Sequence, residues 1–352
     1  MKFGLMQLVS GGGGRTESEV YRDNLEIACM AEDLGFDSLW VAEHHFTDYG
    51  LVANIMQYLT AVAVKTERIR LGAAVVVTPL HNPIRIAEEA SFLDVISNGR
   101  LDLGVGRGYQ PREFAAFGQS MDESRGRFDE SIAFLRKAWE SVEPFDWDGE
   151  FFSGQQIAIL PRPIQNPHPP LWLACVSPTT FDMGGEKGWR IMTSPNFTPL
   201  NIVKDNFARY SVALTANGYD PANFNFPIMQ QVYVGETDEA AYDEPQESCM
   251  AYFQKLGSLL PQEVKGEASG GQSYEQFRKT KRKMSDLRYD YLFENGVTFG
   301  STKRVIERLQ FLQEEVNLDY FLGWFNFGTM PQAMAKASLQ RFAEEVMPIF
   351  VD

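Results

Sequence analysis

Ile69-Arg70-Leu71-Gly72-Ala73-Ala74-Val75-Val76-Val77 is apolar at almost every position, so neither face of this segment suits water. A strand of this kind must be covered on both sides. The chain supplies the cover next: 83–97 reads as a helix stopped by Gly99, and 101–105 as another strand, apolar except for Asp102. Strand, helix and parallel strand make one βαβ unit.

The same unit repeats outward in both directions. Upstream, 1–6 reads as a strand. Thr16-Glu17-Ser18-Glu19 is a capping box, followed by Tyr21, Leu25, Ala28 and Cys29 on one helical stripe that Gly35 ends. Residues 36–42 form a second strand and 52–66 a helix. Downstream come helix 124–142, strand 171–175, helix 178–187, strand 189–192, helix 200–217 and strand 227–234. Helix 302–316 carries Val305, Leu309, Leu312 and Val316 in register, strand 320–324 follows, and helix 330–346 carries Ala335, Leu339, Phe342 and Val346.

Eight such units favour closure into a (β/α)₈ TIM barrel, an α/β fold expected to span 1–352 as one domain. Two insertions interrupt it. One, near 143–168, contains a hairpin-like Phe145-Asp146-Trp147-Asp148-Gly149-Glu150-Phe151-Phe152. The other, 257–300, is rich in Gly and basic residues and includes Arg278, Lys279, Lys281, Arg282 and Lys283. That cluster reads either as a solvated helix face or as a mobile lid beside an anion.

A net charge of −15 over 352 residues repels polyanions, so neither nucleic acid nor an anionic membrane is an expected partner, and any phosphate needs a local site. Cys29, Cys175 and Cys249 are odd in number and lack CxxC spacing, which argues against a disulfide framework and a thiolate zinc site. Met1-Lys2-Phe3-Gly4-Leu5-Met6 reads as a strand rather than a leader, and no apolar run reaches the roughly 18 residues of a membrane span. The expected location is the cytoplasm.

In a barrel of this kind, chemistry belongs to the residues just past the strand ends. Past the second strand, Glu43-His44-His45-Phe46 holds two of the four histidines. Neighbours in an extended segment point to opposite sides, no HExxH or third ligand is visible nearby, and no metal is expected. The histidines read as acid–base groups or as hydrogen-bonded structural residues. Past the third strand, small residues around Ala74 let a flat ring approach the backbone. Past the fourth, Gly104-Val105-Gly106-Arg107-Gly108-Tyr109 presents an arginine flanked by glycines, and Arg125 starts the following helix. Past the fifth, Ser177-Pro178-Thr179-Thr180 offers hydroxyls and free N–H groups at a helix start, suited to an anion or to capping that helix. GVGRG lacks GxGxxG spacing, and Gly11 to Gly14 lack a following Lys-Ser/Thr, so neither is a nucleotide fingerprint.

Together these segments resemble the luciferase-like flavin monooxygenases, with a particular nearness to the bacterial luciferase α subunit. The landmarks are Met1-Lys2-Phe3-Gly4, Gly35-Phe36-Asp37, Glu43-His44-His45-Phe46-Thr47, Ser97-Asn98-Gly99-Arg100, Gly106-Arg107-Gly108, Ser124-Arg125, Thr179-Thr180 and Val346-Met347-Pro348. The resemblance implies that His44 is the catalytic base and that reduced flavin mononucleotide (FMNH2) is the cofactor. Arg107, Arg125, Val176, Ser177 and Thr179 would hold its phosphate end. Ala74, Val75 and Gly106 would lie beside its ring, with the Ala74–Val75 peptide cis, and His45, Phe46, Tyr109 and Phe325 would line the substrate pocket. It further implies that 257–300 is a mobile lid. A separate NAD(P)H:flavin reductase would supply the FMN in reduced form, and O2 would be activated as a C4a-peroxyflavin that oxygenates a small apolar molecule. The working unit would be a homodimer.

Three positions depart from the family pattern: Gly106 replaces a reactive cysteine, Val75 an alanine and Phe325 an acidic residue. They reshape the ring and substrate end and spare the phosphate end. Two other readings stay open, an F420-dependent hydride transfer on the same barrel and a non-catalytic flavin-binding partner subunit.

Overall fold

The computed structural model describes residues 1–195, 198–261 and 287–350. Its strands and helices alternate as β1 (Lys2–Gln7), α1 (Glu17–Asp33), β2 (Ser38–Val41), α2 (Ile55–Ala63), β3 (Arg70–Ala73), α3 (Pro83–Ile96), β4 (Leu101–Gly106), α4 (Pro111–Ala116) and α5 (Ser124–Glu140). They continue through β5 (Leu171–Ala174), α6 (Pro178–Lys187), β6 (Arg190–Met192), α7 (Leu200–Ala216), β7 (Pro227–Gly235), α8 (Asp238–Asp243), α9 (Gln246–Leu259), α10 (Tyr289–Asn295), α11 (Thr302–Val316), β8 (Tyr320–Trp324) and α12 (Gln332–Arg341). Side-chain caps set several of the helix starts. Thr16 and Glu19 form the reciprocal capping box, while Asn54 and Asn82 bond the first turns of α2 and α3.

All pairings among β1 to β8 are parallel, in the order β7-β8-β1-β2-β3-β4-β5-β6. The Met229 N–H donates to the Thr193 carbonyl at 2.9 Å, joining the end of β6 to β7 and closing the ring. The expected barrel is therefore present, and so is the hairpin, Phe145–Asp148 against Ser153–Ile157.

Two details differ from the sequence reading. The third strand does not run unbroken to Val77: it stops at Ala73, and Val76–Val77 then pairs separately with Val105 and Gly106. Four steps from Gly72 to Val76 face three from Asp102 to Val105, so the extra residue bulges at Ala74–Val75. The stretch 257–300 also contains α10 and a short strand, Thr298–Ser301, paired with the outer half of β7. The basic cluster from Arg278 to Lys283 lies outside the described residues.

In-register neighbours share a face, which assigns the barrel interior. Ser38, Arg70, Asp102 and Tyr320 lie low in it, and Trp40 and Trp172 pack edge to face above them at 4.8 Å. Two inward positions have no space for a side chain. A Cβ on Gly72 would sit 2.2 Å from the Trp40 ring, and one on Gly104 would sit 2.0 Å from the Ala73 carbonyl oxygen. The lower barrel is thus plugged by indoles, leaving the C-terminal mouth for a site.

One buried arginine ties α2 to this sheet. Arg100 donates to the carbonyls of Ser97, Ile69, Ala63 and Thr66 and to the Thr66 hydroxyl, each at 2.8–2.9 Å. Replacing it by methionine keeps the stem and strips four carbonyls of this donor. Arg100→Met should lower stability by about 3 kcal/mol in urea unfolding, and a loss below about 1 kcal/mol would contradict this bonding.

Candidate active site

His44 is the next inward-facing position after Ser38, Trp40 and Ala42 along β2 and its continuation, and its N–H is held by the Val52 carbonyl at 3.1 Å. The ring is buried at the C-terminal mouth. Its Nδ1 lies 3.2 Å from Glu113 Oε1 and 2.9 Å from the side-chain amide of Gln110. The same Glu113 oxygen accepts the His45 backbone N–H at 3.0 Å. Glu113 stands in the first turn of α4, where a helix start favours a carboxylate.

These contacts choose a tautomer. A carboxylate only accepts, so Nδ1 must carry the proton to bond Glu113. Turning the Gln110 amide end for end presents its Oε1, otherwise without a partner among the described residues, to that same N–H. Nε2 is left with a lone pair and no protein partner among the described residues.

Around this ring the walls are aromatic. Tyr49 meets His44 edge to face at 4.7 Å and Tyr109 lies at 6.0 Å. The Tyr49 and Tyr252 hydroxyls are 3.0 Å apart, and Tyr252 meets Trp324 at 4.6 Å. Burial raises the Tyr49 and Tyr109 phenols and pushes Tyr252 up to about 12, so all three stay protonated at neutral pH. Two buried donors lack a partner among the described residues, Trp324 Nε1 and Gln231 Nε2. They belong to register neighbours on β8 and β7 that face the barrel interior together.

Opposite them the wall is small. Ala42, Ala74, Gly106 and Ala174 are inward positions at the ends of β2 to β5, and the Ala74–Val75 peptide is cis. Gly106 and Val75 interlock: a Cβ on Gly106 would lie 2.5 Å from Val75 Cγ2 and 3.9 Å from the Ala174 Cβ. None of these four positions carries more than a methyl group.

Beside the recess, Arg107 follows β4 directly. Arg125 at the start of α5 pairs with Asp129 at 2.7 Å and reaches the Met183 sulfur of α6 at 3.3 Å. The start of α6 holds the Ser177 and Thr179 hydroxyls, 3.0 Å apart. The expectation of free N–H groups there is corrected in part. The Val176 and Ser177 N–H groups both donate to Thr180 Oγ1 at 3.2 Å, and that of Thr180 to the Ser177 carbonyl. The N–H groups of Val176, Ser177 and Thr180 are thus already bonded within the turn.

Three expected pocket residues point elsewhere. His45, one step from His44, faces the other way, into a cluster with Glu43 and His81. Phe46, at positive φ, is exposed and packs on His45 and Phe117. Phe325 lies behind the sheet against Phe36 and Phe342, while its neighbour Trp324 takes the inward position. Glu113, Gln110, Tyr49, Tyr252, Gln231 and Trp324 were not singled out from sequence. Gln231 and Trp324 lie in predicted strands and Gln110 directly follows Tyr109, so position pointed toward these three, whereas Glu113 and Tyr252 lie on α4 and α9, away from the strand ends.

Glu43 is buried, and its Oε1 accepts from His45 Nε2 at 3.0 Å and His81 Nε2 at 2.7 Å; Oε2 accepts the Val77 N–H at 3.3 Å. Burial alone would raise this carboxyl, but the two imidazole donors outweigh it and hold it below the usual range. Burial opposes charge on His81 as well, and there the Glu43 carboxylate prevails and raises its pKa.

Nitrogen-15 spectra should show His44 with a protonated Nδ1 and an unprotonated Nε2, and Glu113→Ala should mix the two tautomers. A wild-type ring protonated on Nε2 alone would contradict the arrangement.

Sequence comparison places the site in context. The chain is 29% identical over 337 residues to protein y4vJ of Sinorhizobium fredii, covering 96% of this chain and 93% of that one. It is 27% identical over 340 residues to the oxygenase component of flavin-dependent trigonelline monooxygenase from Acinetobacter baylyi, covering 96% and 91%. The alkanal monooxygenase α chain of the Kryptophanaron alfredi symbiont is 23% identical over 354 residues, covering 99% and 98%, so the expected special nearness to luciferase gives way to a more general kinship.

Among solved structures, monooxygenase RslO1 from Streptomyces bottropensis superposes with a TM-score of 0.84 at 27% identity, over 100% of both chains. The same fold occurs in the FMN-bound oxygenating constituent of 3,6-diketocamphane monooxygenase from Pseudomonas putida, with a TM-score of 0.80 at 20% identity over 100% and 99% of the two chains. It occurs also in an F420-dependent secondary alcohol dehydrogenase, with a TM-score of 0.78 at 18% identity and the same coverage. No described helix is long and apolar enough to cross a membrane. The family model for luciferase-like monooxygenases matches residues 1–316, and the chain belongs to that family.

Proposed function

We propose that this chain is the oxygenase component of a two-component flavin monooxygenase, receiving reduced FMN from a separate NAD(P)H:flavin reductase and using O2 to oxygenate a small organic molecule. The observation that carries the reading is the buried His44, its Nε2 lone pair left open at the mouth of a barrel whose walls are aromatic on one side and small on the other. When bound, reduced FMN supplies the electrons for activating O2. The trigonelline relative, named as an oxygenase component, supports the reductase partnership.

The protein's own residues divide the remaining work. Ala74, Val75 and Gly106 form the wall for the isoalloxazine ring, and Arg107, Arg125, Val176, Ser177 and Thr179 surround the phosphate end. Tyr49, Tyr109 and Tyr252 keep water from the reacting centre. His44 Nε2 takes or holds a proton there, while the Glu113 carboxylate balances the charge the ring acquires. Trp324 and Gln231 offer donors to the substrate, so the molecule accepted is apolar over most of its surface and carries one hydrogen-bond acceptor. The chain is taken as one barrel domain over 1–352, acting as a homodimer in the cytoplasm.

Anaerobic titration with reduced FMN and with F420 separates oxygenation from hydride transfer; tight binding of F420 alone would reject the proposal. Arg107→Ala should weaken reduced-FMN binding by roughly 1.5–3 kcal/mol, and unchanged affinity would place the phosphate elsewhere. His44→Ala should bind FMN normally yet lose product in coupled turnover with substrate. Product formation at the wild-type rate would remove His44 from the chemistry.

A further inference from the structure

We infer that Glu43, His45 and His81 form a binding site for one divalent first-row transition-metal ion, separate from the proposed flavin site and independent of that reading. The donor set is two imidazoles and one carboxylate, a combination that suits Zn2+, Co2+, Ni2+ or Fe2+ and disfavours Ca2+ and Mg2+. Their ligand atoms all lie within 4.8 Å of one another. The two measured edges from Glu43 Oε1 are 3.0 Å to His45 Nε2 and 2.7 Å to His81 Nε2. Ligands about 2.1 Å from an ion are separated by about 3.0 Å in octahedral and about 3.4 Å in tetrahedral arrangements, so both edges are already close to bonding geometry. The imidazole centroids, 6.3 Å apart, need to close by about 1 Å around a tetrahedral ion and by about 1.7 Å around an octahedral one.

The surroundings favour an ion as well. Glu43 and His45 are buried, whereas the His81 side chain is 28% exposed, which gives an ion a way in and a ring free to adjust. The second carboxylate oxygen of Glu43 is fixed by the Val77 N–H, the outer support that metal-binding carboxylates need.

An ion here would brace two walls together. Val77 follows the Ala74–Val75 bulge, and the His45 N–H shares Glu113 with His44. The His44–His45 pair would then divide its labour, one ring toward the barrel mouth and the other toward the metal.

The full-length chain, stripped with chelator, is titrated calorimetrically with Co2+ and with Zn2+, and the Co2+ complex is followed by its visible absorption. The expected result is one ion per chain with a Kd on the order of micromolar or tighter, weakened at least about tenfold in His81→Ala and His45→Ala and unchanged in His168→Ala. If His45→Ala does not fold, His81→Ala and the wild-type stoichiometry decide. No wild-type binding below millimolar Co2+ or Zn2+, or binding untouched by His81→Ala, would overturn the assignment and leave the three residues as a hydrogen-bonded cluster.

Discussion

A single buried carboxylate oxygen organises the mouth of this barrel. Glu113 Oε1 holds the ring of His44 and the backbone of His45 at once, fixing the direction in which the chain leaves β2. Because side chains alternate along an extended segment, fixing that direction sends one imidazole inward and the next outward. The inward ring gains a defined tautomer, and the outward ring is delivered to Glu43. Without Glu113 the His45 backbone N–H would need another acceptor in a buried place, which is costly, and the His44 ring would be held by Gln110 alone.

The rest of the site depends on how the barrel interior is filled. Trp40 and Trp172 occupy its lower half, and Gly72 admits the Trp40 ring. Higher up, residues on β2 to β5 shrink to alanine and glycine while Trp324, Tyr252 and Tyr49 crowd the other side. The mouth is therefore lined by small side chains on one side and aromatic ones on the other. At the Ala74–Val75 bulge, Val75 already fills the space a side chain on Gly106 would need.

The barrel was legible because each of its strands is an apolar run bounded by a helix stop, and the alternation argument correctly separated His44 from His45. Three things were hidden. The break in the third strand leaves no mark in a run as uniform as Ala73-Ala74-Val75-Val76-Val77, where bulged and regular residues look alike. Phe325 and Trp324 are adjacent and both aromatic, so the inward position depends on a phase that only strand register supplies. Glu113 and His81 lie 69 and 38 residues from the groups they bond, His44 and Glu43, and pattern reading along the chain has no access to such pairings. Gln231 and Trp324 face inward by that same register, which their own strands do not reveal.

The central claim is that this mouth shelters reduced flavin while it reacts with O2. Stopped-flow mixing of the chain's reduced-FMN complex with O2, followed by absorption, tests it most directly. A transient species, spectrally distinct from both reduced and oxidised flavin, is expected to form and to decay faster when substrate is present. Direct conversion of reduced to oxidised FMN at the rate of free flavin, with no such transient, would contradict it.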